Sequence, residues 1–303
     1  MSSEHASPAK AILYAFLANL GIAITKSAAA AFTNSGSMLA EAIHSYADCT
    51  NQVLLFLGLK QAAKPPTPEH PFGFGKESYF WSFVVALLLF SIGGLFSIYE
   101  GWHKLHHPEA LNRAWVALSV LGVAMLLESV SLAGCLREIS KLRRGRPFGD
   151  WLHHTRNAEL VVVLGEDVAA LAGLAIAFVF VALAATTGDT RYDAIGSIAI
   201  GVVLILVAAF VAARIRSLLI GKSAEPRLRQ RIDTLIAADS AIEELLSTIT
   251  LQMGPKFVLA ARVRMCPGLT IEQAVGRINE LERHIKEAYP EVGWCYIEPD
   301  VKA

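Results

Sequence analysis

Long apolar segments alternate with short polar ones over the first two thirds of the chain. The apolar segments are residues 11–31, 37–59, 78–101, 114–136, 158–184 and 194–219. A helix of about 20 apolar residues crosses a hydrocarbon core roughly 30 Å thick, and each segment reaches that length. The pattern therefore predicts a membrane-embedded, all-α bundle of six helices over residues 11–221, preceded by a short tail, residues 1–10.

Residues 222–303 follow a different pattern, with shorter periods and many charges. Helical spacing or alternation predicts a helix at 225–245, strands at 246–252 and 257–265, a helix at 271–289 and a strand at 292–298. This order is compatible with a small α+β, ferredoxin-like domain in which one antiparallel sheet lies under two helices. We expect this domain to lie in the cytosol.

The distribution of charge along the chain is more informative than its sum. The formal net charge is zero, so nothing suggests a nucleic-acid partner. Basic residues concentrate in the second and fourth connections and after the last apolar segment, for example at Lys64, Arg143 and Lys222. The positive-inside rule then places both termini in the cytosol. No transit peptide is visible, so we expect an integral protein of a bacterial inner membrane.

Several ionisable residues interrupt the apolar segments, although each costs about 2.5–3.5 kcal/mol on insertion scales. They are Lys26, Glu41, His44, Asp48, Glu128, Glu166 and Asp167. The spacing of His44 and Asp48 places an imidazole and a carboxylate on one helix face, one turn apart. Asn51 and Gln52 continue that face. Such groups inside a membrane indicate a functional site.

Helix arithmetic places two carboxylates at a similar depth. Asp48 lies about 16 Å from the outer start of the second segment, and Asp167 about 14 Å from the inner start of the fifth, at 1.5 Å per residue. Both positions fall near the midplane. We therefore predict that His44, Asp48 and Asp167 bind a divalent transition metal between two helices, a donor set that suits zinc. Glu166, turned by about 100° from Asp167, either completes this set or relays protons.

Other interpretations stay open at this point. An isolated intramembrane histidine often packs against a neighbouring helix through a hydrogen bond. Lys26 suits Glu41 as an ion-pair partner, and Glu128 suits a structural or gating role. Three histidines at the end of the third segment, His103, His106 and His107, either form a metal site or belong to an exposed loop tip. The four cysteines include no CxxC pair, which argues against a thiolate cluster.

The motifs resemble those of the cation diffusion facilitator family. The resemblance rests on HSYAD at 44–48, HPFGFGKE at 70–77, SIYEG at 97–101, EDVAALAG at 166–173 and DAIGSIAIG at 193–201. The pairing of Glu166-Asp167 with Glu128 is similar to the branch that contains the mitochondrial zinc exporter of animals. The resemblance implies a homodimer that exports zinc or related ions in exchange for protons, without an organic cofactor. It also implies metal-ligand roles for His44, Asp48 and Asp167.

The sequence departs from the family pattern at three places. Val163 stands where the family's fourth transport ligand lies, so Glu166 or water would have to replace it. Phe74 stands where a cytosolic loop site needs a second histidine after His70. The tail lacks the histidines of the family's cytosolic zinc pair and keeps only acids at its end, Glu298 and Asp300.

These observations together predict a proton-coupled exporter of divalent transition-metal ions, with zinc as the favoured cargo. Manganese, iron, cobalt or nickel is the alternative cargo for the same fold. A membrane metalloenzyme is less favoured, because no HExxH helix exists. A non-transporting metal sensor built on a dimeric tail is a third class. We do not expect an enzyme.

Overall fold

The computed structural model describes residues 8–33, 36–107, 114–143 and 145–301. The side chains of residues 30, 32, 33, 36–44 and 47 also lie outside the described part. Residues 1–7 of the predicted N-terminal tail therefore fall outside it.

The helices of the membrane region are long and run close to the predicted segments. They are α1 (Pro8–Thr33), α2 (Gly36–Ala62), α3 (Glu77–Leu88), α4 (Phe96–His106), α5 (Ala114–Arg143), α7 (Ala158–Thr187) and α8 (Arg191–Ile220). A π-helical segment, Leu89–Leu95, joins α3 to α4 into one span. A short helix, α6 (Phe148–His154), was not predicted, and Trp151 anchors it in the apolar core of the bundle.

Five helices in the described part are long and apolar enough to cross a membrane. They are α1, the joined α3–α4 span, α5, α7 and α8. Helix α2 lies among them and packs on α1 and α3, but its sequence is more polar. The predicted six-helix membrane bundle is thus confirmed. Its most polar membrane-spanning helix, α2, is the helix that carries His44 and Asp48.

Glycines allow the backbones of α4 and α8 to approach closely. A Cβ added at Gly101 would lie 2.7 Å from the Ala194 carbonyl oxygen, and one at Gly201 would lie 2.7 Å from the Gly94 oxygen. Only glycine fits at such distances. Small residues at helix interfaces are a common means of packing in membranes.

The tail contains α9 (Pro226–Ala237), β1 (Ile242–Met253), β2 (Lys256–Met265), α10 (Ile271–Ala288) and β3 (Val292–Pro299). The α+β prediction is confirmed, but the wholly antiparallel sheet is wrong. Strand β1 pairs antiparallel with β2, whereas β3 runs parallel to β2. Helix α10 connects β2 to β3, and a helical crossover of this kind returns the chain in the same direction. The first helix of the tail, α9, ends at Ala237, eight residues before its predicted end at residue 245.

The tail contacts one end of the bundle directly. The hydroxyl of Tyr79 in α3 donates to the Gly254 carbonyl in the β1–β2 turn, at 3.1 Å. The Arg156 guanidinium, just before α7, donates to the Ser223 carbonyl at 3.0 Å. Burial lowers the pKa of Arg156, which nevertheless stays a cation at neutral pH because guanidinium begins so high. These bonds join the starts of α3 and α7 to the tail.

Candidate metal centre

One face of α2 turns into the bundle and carries its polar residues. Asn51 is 5% exposed and Gln52 is 1% exposed, and Leu55 continues the buried face. The opposite face, with Tyr46 and Val53, is exposed. Asp48 lies one turn before Asn51 and Gln52 and is half-buried. The helical period therefore brings Asp48 and two amide side chains to the interior, as the sequence predicted.

Glu166 of α7 is held by both amides of α2. The Asn51 side-chain amide donates to Oε1 at 2.6 Å, and the Gln52 amide donates to Oε2 at 2.9 Å. Glu166 is itself buried. Hydrogen bonds to a carboxylate inside an apolar region replace part of its lost hydration. Both oxygens of Glu166 thus have protein partners, and a metal would have to share them or displace an amide.

Asp167 faces α5 rather than the amides of α2. The Ser131 hydroxyl donates to Oδ1 at 3.0 Å, and Asp167 is 2% exposed. Its other oxygen, Oδ2, is buried and has no hydrogen-bond partner in the described part of the chain. An unpartnered carboxylate oxygen in such a place is costly unless a proton or a cation occupies it.

A fourth carboxylate lies on α5. Glu128 is 3% exposed and sits on the stripe that continues through Ser131. Acids buried in one low-dielectric interior disfavour each other's ionised forms, so protons or a cation would lower the cost of burying them.

The predicted ligand set is only partly visible. The side chain of His44 lies outside the described residues, so its position relative to Asp48 and Asp167 stays a prediction. Among the described side chains, no three His, Cys, Asp or Glu residues are grouped closely enough to hold a metal ion. The roles of His44, Asp48, Asp167 and Glu166 as metal ligands therefore remain predictions as well.

Sequence reasoning missed two parts of this centre. Ser131 gave no signal, because a serine in an apolar helix usually bonds to its own backbone, as Ser129 does to the Met125 carbonyl. Asn51 and Gln52 were placed on the correct face, but their partner was not. The 100° offset between Glu166 and Asp167 was the available signal, since adjacent acids on one helix must face different neighbours.

The positions where the sequence departs from the family pattern have other partners. Val163 is fully buried in the apolar core of the bundle. The His70 ring packs on Phe74, with centroids 4.5 Å apart. At the end of the tail, Arg262 forms ion pairs with both Glu298 and Asp300.

The fold and the centre define a helical membrane protein with acidic residues inside its bundle and a small α+β tail. A family model described as the cation efflux transmembrane domain matches residues 12–220, which is more than half of the chain. The chain belongs to the cation efflux family, whose members are transporters rather than enzymes. The predicted resemblance is therefore confirmed.

Named relatives agree with this assignment. The chain is 34% identical over 249 residues to the mitochondrial proton-coupled zinc antiporter SLC30A9 of Xenopus laevis, covering 82% of this chain and 44% of that one. It is 32% identical over 225 residues to metal tolerance protein C4 of Arabidopsis thaliana, covering 74% and 49%. It is 24% identical over 258 residues to the cation-efflux pump FieF of Serratia proteamaculans, covering 85% and 81%. The chain spans less than half the length of the first two relatives.

Proposed function

We propose that this protein exports divalent transition-metal ions, zinc foremost, in exchange for protons. The observation that carries the proposal is the set of buried acids Glu128, Glu166 and Asp167 in the bundle that also holds half-buried Asp48, with Asp167 Oδ2 lacking a hydrogen-bond partner among the described residues. Membership in the cation efflux family supports a metal cation as cargo. The zinc antiporters among the relatives support zinc and proton exchange.

The ligands proposed for the cargo are His44, Asp48 and Asp167. A carboxylate pair alone would favour hard ions such as manganese, and an imidazole shifts the preference toward zinc, iron, cobalt or nickel. Glu166 is the proposed fourth group in place of Val163, and it would join by releasing one amide of α2. Because its two hydrogen bonds link α7 to α2, loss of one would also loosen these helices from each other.

Proton exchange follows from competition for the same lone pairs. A carboxylate or imidazole must lose its proton to bind a metal, so metal binding releases protons and acid releases the metal. We expect export to increase when the receiving side is more acidic.

We also propose the arrangement predicted from the sequence: a homodimer, with both termini and the tail in the cytosol. The basic residues near the tail, such as Arg156 and Lys222, agree with the positive-inside rule. The bacterial inner membrane stays a prediction, since the relatives include both mitochondrial and bacterial proteins.

The test is zinc flux into liposomes that contain the purified protein. Asp48→Asn and Asp167→Asn keep side-chain size and remove the charge, and we expect each to reduce flux on the order of 10²-fold. Asp189→Asn is the matched control, because Asp189 is exposed at the turn between α7 and α8 and an Asn oxygen can still accept from the Arg191 amide. Undiminished zinc flux in both intramembrane variants would overturn the proposal.

The same liposomes rank the cargo and test the coupling. Competition of zinc flux by manganese, iron(II), cobalt and nickel gives the order of preference. An acidic lumen should increase flux, and a flux that ignores the pH gradient would contradict proton exchange.

A further inference from the structure

Two imidazoles are stacked at the end of the bundle opposite the tail. The tail contacts the start of α3 through Tyr79, and the joined span then runs away from it to the end of α4 at His106. There the rings of His103 and His107 lie 4.7 Å apart between centroids, with planes at 16°. Both residues are exposed. The centre inside the bundle uses neither of them.

In the described part of the chain, the ring nitrogens of both histidines are open to a ligand. None of the described residues forms a hydrogen bond with a ring nitrogen of His103 or His107. The two rings stack on each other, and His103 also stacks on Tyr99. The neighbouring His106 differs, because its Nδ1 lies 2.9 Å from the Trp102 carbonyl oxygen. Imidazole is the commonest protein ligand for transition metals, and two imidazoles one helical turn apart can bind the same ion.

The nearby carboxylates are already engaged. The Lys104 ammonium lies 3.0 Å from Glu100 and 3.2 Å from Asp193, which joins α4 to α8 at this end. Accordingly, no group of three ligands forms around the histidines in the described part of the chain. An ion held by the two imidazoles would complete its coordination with water, as exposed sites do.

We propose that His103 and His107 form a surface site for a divalent transition-metal ion of the zinc and copper class. The site is separate from the intramembrane carboxylates and does not depend on the proposed transport. His103 lies in the last turn of α4 and His107 directly follows the helix, so the second imidazole binds intramolecularly. That advantage is on the order of 10²-fold in affinity over a single histidine.

The test uses the full-length protein in lipid nanodiscs with Cu²⁺–iminodiacetate as the probe. Electron paramagnetic resonance distinguishes copper bound by two imidazole nitrogens from copper bound by one. We expect the two-nitrogen signal in the parent protein and in His106→Ala, which removes an imidazole but not the pair. His103→Ala and His107→Ala should each lose this signal, with a copper affinity lower on the order of 10²-fold.

Zinc competition extends the test to the other member of the ion class. Added Zn²⁺ should displace the probe from the parent protein and from His106→Ala. A two-nitrogen signal that persists in either His103→Ala or His107→Ala would overturn the proposal, and so would a loss of the signal in His106→Ala alone. All three positions are exposed, so circular dichroism should show the same helix content in each variant.

Discussion

The centre of the bundle and the core of the tail bury opposite kinds of side chain. The cluster at the heart of the tail is apolar, with Ile232, Ile236, Leu259 and Ile285 fully buried. Its charges lie outside, as in the exposed ion pair of Arg283 with Glu287. In the bundle, Glu128, Glu166 and Asp167 are buried together with the amides of Asn51 and Gln52.

This difference separates structural from functional residues. Exposed ion pairs on a soluble surface contribute little to stability, so the charges of the tail need no special explanation. Carboxylates inside a membrane bundle oppose insertion and require partners, and apolar residues would fill the same space at lower cost. The intramembrane acids are therefore the residues to which we assign the proposed transport, whereas the tail is explained by its packing.

The largest stability effect is expected in the tail. Ile285→Ala removes a fully buried side chain from α10 and should destabilise the tail by about 2–5 kcal/mol. Hydrogen exchange of the intact protein should then accelerate in β2 and α10 while the helices of the bundle keep their protection. Val275→Ala, on the exposed side of the same helix, is the control. Equal acceleration in the bundle would show that the two regions unfold as one unit.

A smaller cost is expected where α4 meets α8 in the bundle. Gly101→Ala places a Cβ 2.7 Å from the Ala194 carbonyl oxygen, so the helices must separate, at about 1–3 kcal/mol. Gly122→Ala is the matched control, because a Cβ there meets nothing within 4 Å and alanine favours helix by about 0.5–1 kcal/mol. Thermal unfolding in detergent should give Gly122→Ala a higher melting temperature than the parent and Gly101→Ala a lower one. The reverse order would show that this interface is not tightly packed.

The hydrogen bonds from the α2 amides to Glu166 should contribute less to the stability of the bundle than the packing of α4 on α8. Asn51→Ala leaves Oε1 of Glu166 without its 2.6 Å partner, and we expect a loss of about 1–2 kcal/mol. A double-mutant cycle of Asn51→Ala with Glu166→Gln, followed by denaturation in mixed micelles, measures the coupling. The two changes should be clearly non-additive. Additivity within about 0.3–0.5 kcal/mol would mean that this contact does not stabilise the bundle.

The sequence was sufficient for most of the fold, because lipid leaves few alternatives. A buried apolar segment in a membrane must satisfy its backbone internally, so segment length alone predicted the helices. This argument does not apply to the tail, because the direction of each strand there depends on which element connects it to the preceding strand. Strand β3 runs parallel to β2 because α10 intervenes, and alternation within a strand carries no information about its neighbour.

The sequence predicted which residues form the candidate centre, but not which side chains those residues contact. Charged side chains inside apolar segments identified Asp48, Glu166 and Asp167 directly. Their partners depend on helix rotation and packing, which one sequence does not determine. Depth arithmetic placed Asp48 and Asp167 at similar levels, yet in the described part Glu166 contacts the amides of α2 and Asp167 contacts Ser131 of α5.

The smallest effect is expected at the contact between the two regions. Tyr79→Phe keeps the buried ring and removes only the hydroxyl that donates to the Gly254 carbonyl. That carbonyl keeps a second donor, the Gln252 side-chain amide at 2.7 Å, so the cost should be near the low end of about 0.5–1.5 kcal/mol.

The measurement is trypsin cleavage after Lys256, which lies beside this turn and is exposed. If the tyrosine bond holds the turn against the bundle, Tyr79→Phe should be cut faster, by about two- to tenfold for such an energy. Tyr296→Phe, at an exposed position of β3, should be cut like the parent. Unchanged cleavage in Tyr79→Phe would mean that the tail is held by its other contacts, of which the Arg156 bond to the Ser223 carbonyl is the next to test.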